Sequence, residues 1–144
     1  LMKNLAKFKV AVRTREYLVQ AIFQLLFNTE NKDDIIQQFE DEHVGKKVDF
    51  VTFRKVLTNI DKTKDSLYLI LKDDLGLKDS DLELIDQSIL YYGINEIKDN
   101  ILPKEIIIDE CIRLSKKFSN PVSYKFINAY LDKFIKLKKV TSDK

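Results

Sequence analysis

The sequence predicts an all-α protein, and three observations indicate this class. Gly occurs only three times and Pro only twice in 144 residues. All-β folds need many turns, and turns rely on Gly, Pro and Asn, so this chain favours helices. Apolar side chains recur every three to four residues, which is the spacing of helices with one buried face. With 44% apolar and 33% charged residues, the composition is that of a globular chain of one-domain length.

Four helices are predicted in the first half of the chain, because each stretch carries an apolar stripe at helical spacing. In the first helix this stripe includes Leu18, Ile22 and Leu25. Gly45 ends the short second helix, and Gly76 follows the fourth helix where a left-handed cap is easiest. The predicted spans are residues 10–28, 33–42, 49–61 and 64–75.

Three more helices are predicted in the second half. Ser80 and Glu83 have the spacing of a capping box, which opens a fifth helix that ends near Ile97. Pro103 suits the first turn of a sixth helix up to residue 118, and a seventh helix starts near Ser123. Residues 1–144 are expected to form one domain, with subdomains over about 1–78 and 79–140 and a tail over 140–144.

The net charge of +2 conceals a strong segregation of charge along the chain. Residues 1–29 carry five bases and one acid, residues 30–112 carry eleven bases and twenty acids, and residues 113–144 carry nine bases and two acids. The three segments therefore have net charges of +4, −9 and +7. Basic ends and an acidic middle are typical of a protein that binds a polyanion on one face and a basic partner on another.

The same composition argues against several functional classes. Cys111 is the single cysteine and His43 the single histidine, so neither an internal disulfide nor a histidine-cluster metal site is expected. Glycines only at positions 45, 76 and 93 allow no phosphate-binding loop or nucleophile elbow. Asp109 and Glu110 are adjacent on a helix, so their carboxylates do not converge. We expect a cytoplasmic protein without catalysis, cofactor, secretory signal or membrane segment.

Five stretches of the chain resemble, in the same order, the NusB family of bacterial transcription antitermination factors. The first is RTREYLVQAIF over residues 13–23, which resembles the family's opening R-x-R-E-x-A-x-Q-A-L-Y. Residues 102–118 match the family's V-P and I-N-E-A-x-x-L-A-K-x-F, and residues 125–133 are close to K-F-V-N-G-V-L-D-K. Residues 48–53 resemble the start of its third helix, and residues 85–90 are similar to its fifth helix. The collinear order makes the resemblance specific.

The resemblance implies a seven-helix fold of two packed helical subdomains. It implies binding to the boxA element of nascent RNA jointly with NusE, a small-subunit ribosomal protein that also acts in transcription. That assembly joins RNA polymerase and suppresses termination in ribosomal RNA operons. Two alternatives stay open: a helical protein-interaction module, and a stand-alone relative of the N-terminal domain of ribosomal RNA methyltransferases. Whether the chain is a monomer or a homodimer also stays open.

Two basic groups are candidates for RNA contact: one near the N-terminus, and one where the sixth and seventh helices meet at a tight turn. Cations neutralise phosphates, and an aromatic ring can stack on an unpaired base. The alternatives are a solvated mobile end for the first group and a core position for the aromatic residue. The candidates are Lys7, Lys9, Arg13, Arg15, Lys116, Lys117, Lys125 and Phe126.

The resemblance also implies two partner-binding residues. Asp86 matches an acidic position that faces the basic NusE in the family, and Phe23 matches an aromatic residue of the same surface. Further acids at 73, 74, 79 and 81 are expected to steer association, with a merely solvated charged face as the alternative.

Overall fold

The computed structural model describes residues 2–28 and 30–142, with side chains described over 5–28 and 30–140. This part of the chain contains six α-helices and no strand, which confirms the all-α class. The helices are α1 (Met2–Asn28), α2 (Lys32–Glu42), α3 (Phe50–Leu69), α4 (Leu84–Asp99), α5 (Lys104–Phe118) and α6 (Ser123–Ser142).

The predicted count of seven helices is wrong, because the predicted third and fourth helices form one element. Helix α3 runs without interruption through residues 61–64 and continues into a π-helical turn, Ile70–Asp74. Neither Gly nor Pro occurs in that stretch, so nothing breaks the backbone hydrogen bonding. The helix ends where Gly76 adopts the predicted left-handed conformation, with φ of +70°, and the Leu77 N–H donates to the Leu71 carbonyl at 2.9 Å.

Two other helix starts also differ from the prediction. Helix α1 begins at Met2 rather than near residue 10, because its first residues are mostly strong helix formers such as Lys, Leu and Ala. The expected capping box at Ser80 is absent, since residues 79–81 form a 3₁₀ turn and α4 begins only at Leu84. Asp79 anchors that turn to α3: it accepts a hydrogen bond from the Tyr68 hydroxyl at 2.9 Å and pairs with Lys72 at 2.7 Å.

The chain divides into two compact units, Leu1–Lys62 and Thr63–Lys144. The division lies inside α3. The boundary near residue 78 that the sequence suggested for two subdomains stays a prediction. In the first unit α1 packs against α2. The apolar stripes predicted for this unit are largely buried, with at most 9% of each side chain exposed in Leu18, Ala21, Ile22, Leu25, Ile35, Ile36, Phe39, Phe53, Leu57 and Ile60.

In the second unit α4, α5 and α6 each pack against the other two. Helix α4 is its centre, because every residue from 88 to 97 is buried. Gly93 permits this close packing: a Cβ atom there would lie 2.9 Å from a Leu131 methyl and 3.0 Å from the Cys111 sulfur. Within the described residues, no helix is long and apolar enough to cross a membrane.

Candidate nucleic-acid interface

The four basic candidates near the N-terminus lie on one continuous helix, but they do not share one face. Successive α-helical residues are about 100° apart, so Lys9 and Arg13 lie within about 40° of each other. Lys7 is two residues from Lys9, and Arg15 is two residues from Arg13. Each step is a rotation of about 200°, so Lys7 and Arg15 lie on a different side of the helix. Lys7 and Lys9 are exposed, whereas Arg13 and Arg15 are half-buried. The sequence group therefore splits into two pairs.

Lys9 and Arg13 line an open cleft of about 260 Å³ in the first unit. A third cation, Lys47, reaches the same cleft from the segment between α2 and α3. The other lining residues that the structure describes are apolar: Leu5, Ala6 and Val10. Sequence reasoning missed Lys47, because its only signal is a basic pair after Gly45, and such pairs are common on solvated turns.

A buried hydroxyl fixes the segment that carries Lys47. Thr14 is only 3% exposed. Its Oγ1 donates to the Val10 carbonyl at 2.8 Å and accepts from the Asp49 N–H at 3.0 Å. The Asp49 carboxylate in turn accepts from the Thr52 N–H at 3.0 Å and from the Thr52 hydroxyl at 2.6 Å, which cap α3 and lower the pKa of Asp49. The start of α3 is thus bonded to α1 one residue away from Arg13.

The second basic group lies where α5 ends and α6 begins, in the second unit. Lys116, Lys117 and Lys125 are all exposed. The Lys116 amine lies 4.6 Å from the ring centroid of Tyr124, so the two helix ends are in direct contact there. Cations in the last turn of α5 also interact favourably with the helix dipole, which is a stabilising role independent of any ligand. Sequence reasoning missed Tyr124 as the aromatic neighbour of these lysines.

Phe126 is half-buried. Its exposure lies between that of a core residue and that of an exposed RNA-contacting residue. Its ring centroid lies 4.8 Å from that of Tyr130, at an interplanar angle of 57°. Because Phe126 is only half-buried, part of its ring is accessible. Stacking on a base stays a prediction for this residue.

Asp86 occupies an unexpected environment for a partner-binding acid, because only 5% of it is exposed. The Ser119 hydroxyl donates to its carboxylate at 2.6 Å, and burial raises the pKa of Asp86. A second bond joins the same segments, since the Asn120 amide donates to the Glu83 carboxylate at 3.3 Å. Asp86 therefore ties the start of α4 to the turn between α5 and α6. Its contact with a partner protein stays a prediction.

Phe23 has an aromatic neighbour that the sequence did not single out. Its ring stacks with that of Phe27 at a centroid distance of 5.6 Å and an interplanar angle of 12°. Phe23 is half-buried, and Phe27 is 65% exposed. The pair forms an exposed aromatic step on the last turns of α1, in the first unit.

The described part of the chain contains no group of three or more His, Cys, Asp or Glu residues that could hold a metal ion. The candidate interface instead consists of cations beside apolar and aromatic side chains. Cations neutralise phosphates, and aromatic rings can stack on unpaired bases, so such a surface is able to contact a nucleic acid.

Comparison with known proteins gives a consistent match. Residues 12–136 match the NusB family. The chain is 34% identical to a transcription antitermination protein NusB of Tolumonas auensis, over 86% of this chain and 91% of that protein. It is 30% identical to the proteins of the same name from Psychromonas ingrahamii, over 91% of both chains, and from Buchnera aphidicola, over 96% of this chain and 98% of that protein.

Proposed function

The chain belongs to the NusB family, and on that premise we propose that it is a transcription antitermination factor. In this proposal it binds the boxA element of nascent RNA together with NusE, joins the RNA polymerase complex and suppresses termination in ribosomal RNA operons. The relatives named above are antitermination proteins matched over nearly their whole length. This favours antitermination over the role of a methyltransferase domain.

The observation that carries the RNA-binding part is the convergence of Lys9, Arg13 and Lys47 on one cleft. Among the residues that the structure describes, no carboxylate lines that cleft, although acids are abundant in this chain. Gathering like charges is unfavourable unless a counter-charge is bound, so the arrangement favours an anionic ligand. Each phosphate that these cations neutralise releases condensed counterions, which favours binding and makes it salt-dependent.

A second contact is proposed at the junction of α5 and α6. Exposed Lys116, Lys117 and Lys125 supply charge there, and the rings of Tyr124 and Phe126 supply surfaces for bases. Stacking of an unpaired base on an aromatic ring contributes about 1–3 kcal/mol. Charge and stacking together would recognise a short single-stranded element of the RNA. Sequence-specific RNA recognition mostly targets such segments, because their bases are unpaired and accessible.

For NusE we propose the aromatic step of Phe23 and Phe27 as the direct contact. An exposed, stacked aromatic pair is the kind of anchor that dominates protein interfaces. The acidic middle of the chain, at −9 over residues 30–112, would attract a basic ribosomal protein and accelerate association. Asp86 is the proposed contact in the second unit, where its carboxylate is bound to Ser119 and holds the start of α4 to the turn between α5 and α6.

The test is a titration of labelled boxA RNA with the protein, with and without NusE, at two salt concentrations. We expect tighter binding to boxA than to a scrambled RNA of the same composition, and a further gain with NusE. Arg13→Ala and Lys125→Ala should each weaken binding and flatten its salt dependence by about 0.7–1 unit of the log–log slope. Lys55→Ala is the matched control, because Lys55 is an exposed cation of α3 that does not line the cleft. Equal binding of boxA and scrambled RNA in the presence of NusE would refute the proposal.

A further inference from the structure

The cleft of the first unit is lined by two chemically different kinds of residue. Lys9 and Arg13 of α1 and Lys47 of the segment between α2 and α3 provide three cations, and Leu5, Ala6 and Val10 of α1 provide apolar side chains. Its volume of about 260 Å³ is close to the lower end of pockets that enclose small ligands, roughly 300 Å³. A ligand that fits both kinds of lining residue is small and anionic, and it carries an apolar or planar part beside its charge.

The wall that carries Lys47 is held in place before any ligand arrives. Asp49, two residues further on, donates its N–H to the buried Thr14 hydroxyl at 3.0 Å. Its carboxylate is fixed in turn by two hydrogen bonds from Thr52. A preorganised wall lowers the entropy cost of binding. Such fixed backbone is not needed for a lysine that is only solvated on a loop.

We propose that this cleft holds a single nucleotide of the bound RNA, and that Lys47 is an RNA-contacting residue. Lys9, Arg13 and Lys47 share its phosphate, and the apolar side chains of the cleft contact its sugar or base. The inference rests on the proposed RNA-binding function and adds to it a defined nucleotide position and a direct role for Lys47 there. A phosphate alone would use the cations but leave the apolar side chains without a contact, so a nucleotide fits the lining better.

The neighbouring lysine provides a matched control. Lys46 and Lys47 are adjacent, exposed and equally charged, but only Lys47 lines the cleft. Lys47→Ala and Lys46→Ala therefore remove the same net charge from the same segment. In a titration of labelled single-stranded boxA RNA, Lys47→Ala should lower affinity about three- to fivefold and reduce the salt slope by about 0.7. Lys46→Ala should leave the affinity within about twofold of the wild type.

Amide chemical shifts give a second readout that does not depend on the full RNA. Uridine monophosphate, inorganic phosphate and uridine are each titrated into the wild-type protein. Uridine monophosphate should shift the amides of Ala6, Lys9 and Lys47 at lower concentration than the other two probes. Equal responses to inorganic phosphate and uridine monophosphate would reduce the cleft to a phosphate site and overturn the nucleotide assignment.

The outcomes separate this inference from the proposed function. If the wild type binds boxA RNA and the two lysine variants weaken it equally, the cleft assignment is wrong and the function stands. If the wild type does not discriminate boxA from scrambled RNA even with NusE, the function itself fails. Polyglutamate that displaces uridine monophosphate as effectively as RNA does would assign the cleft to an acidic peptide instead, and would also overturn the inference.

Discussion

Replacing Thr14 with Val tests the link between α1 and the start of α3. Val has the shape of Thr and a similar helix propensity, so the substitution removes the hydroxyl with little change in packing. The Val10 carbonyl keeps its helical backbone partner, since an α-helical N–H donates to the carbonyl four residues earlier. The Asp49 N–H, by contrast, loses the acceptor that now lies 3.0 Å away.

The expected cost is that of one donor left without its partner at a part-buried site, about 1–3 kcal/mol. In a chain of this size such a loss lowers Tm by roughly 3–10 °C. Thermal unfolding measures the total effect, and amide hydrogen exchange measures the local one. We expect the Asp49 amide to lose protection in Thr14→Val by more than the amides in the middle of α1 do.

Thr14→Ser is the control, because it keeps the hydroxyl and removes only a buried methyl group. Its Tm also falls, since a buried methyl contributes about 0.8 kcal/mol, but its Asp49 amide stays protected. Thermal stability alone does not separate the two variants, and exchange at Asp49 does. Unchanged protection of Asp49 in Thr14→Val would refute the assigned role of the hydroxyl.

Two further predictions concern the second unit. Burial raises the pKa of Asp86, so protonation of this carboxyl favours the folded state. We compare the free energy of unfolding of the wild type with that of Asp86→Asn. The difference, wild type minus variant, should be highest in acid and should fall as pH rises through the folded pKa of Asp86. Urea titrations of both proteins from pH 4 to pH 7 measure this, and a difference that grows with pH would contradict it. Gly93→Ala should lower Tm despite the better helix propensity of Ala, because the new methyl would overlap a Leu131 methyl at 2.9 Å and the Cys111 sulfur at 3.0 Å. Calorimetry measures this, and a Tm equal to or above that of the wild type would show that Leu131 moves aside freely.

Helical periodicity predicted the class and most of the core correctly, because burial of one face is a local property of each helix. Leu18, Leu57 and Leu131, taken from three different stripes, are all buried to within 1%. Helix ends were less predictable. Capping depends on competition between neighbouring groups, and at residues 79–81 the side-chain contacts of Asp79 with Tyr68 and Lys72 favoured a 3₁₀ turn over the capping box at Ser80.

The candidate site was predictable only where its residues are neighbours in sequence. Lys9 and Arg13 fall on one face by helical geometry alone. Lys47 joins them through a contact between Thr14 and Asp49, which are 35 residues apart, and no local pattern encodes such a contact. Asp86 shows the same limit. The sequence places an acid on α4, but the environment of this acid includes Ser119, which lies 33 residues further along the chain.

Charge segregation is informative in this protein only when it is considered together with geometry. Residues 30–112 have a net charge of −9, but this acidic segment also contains Lys47, which lines the cleft with Lys9 and Arg13. The net charge of the segment therefore does not indicate this cation. In the same way, the basic side chains that the structure describes in residues 5–28 divide between two sides of α1, and only Lys9 and Arg13 among them line the cleft. An anion is attracted by the cations that converge within a few ångströms of it, because the interaction weakens with distance and is screened by salt. Three cations that line one cleft, with no carboxylate among its described lining residues, therefore predict a binding site better than the net charge of any segment of the chain.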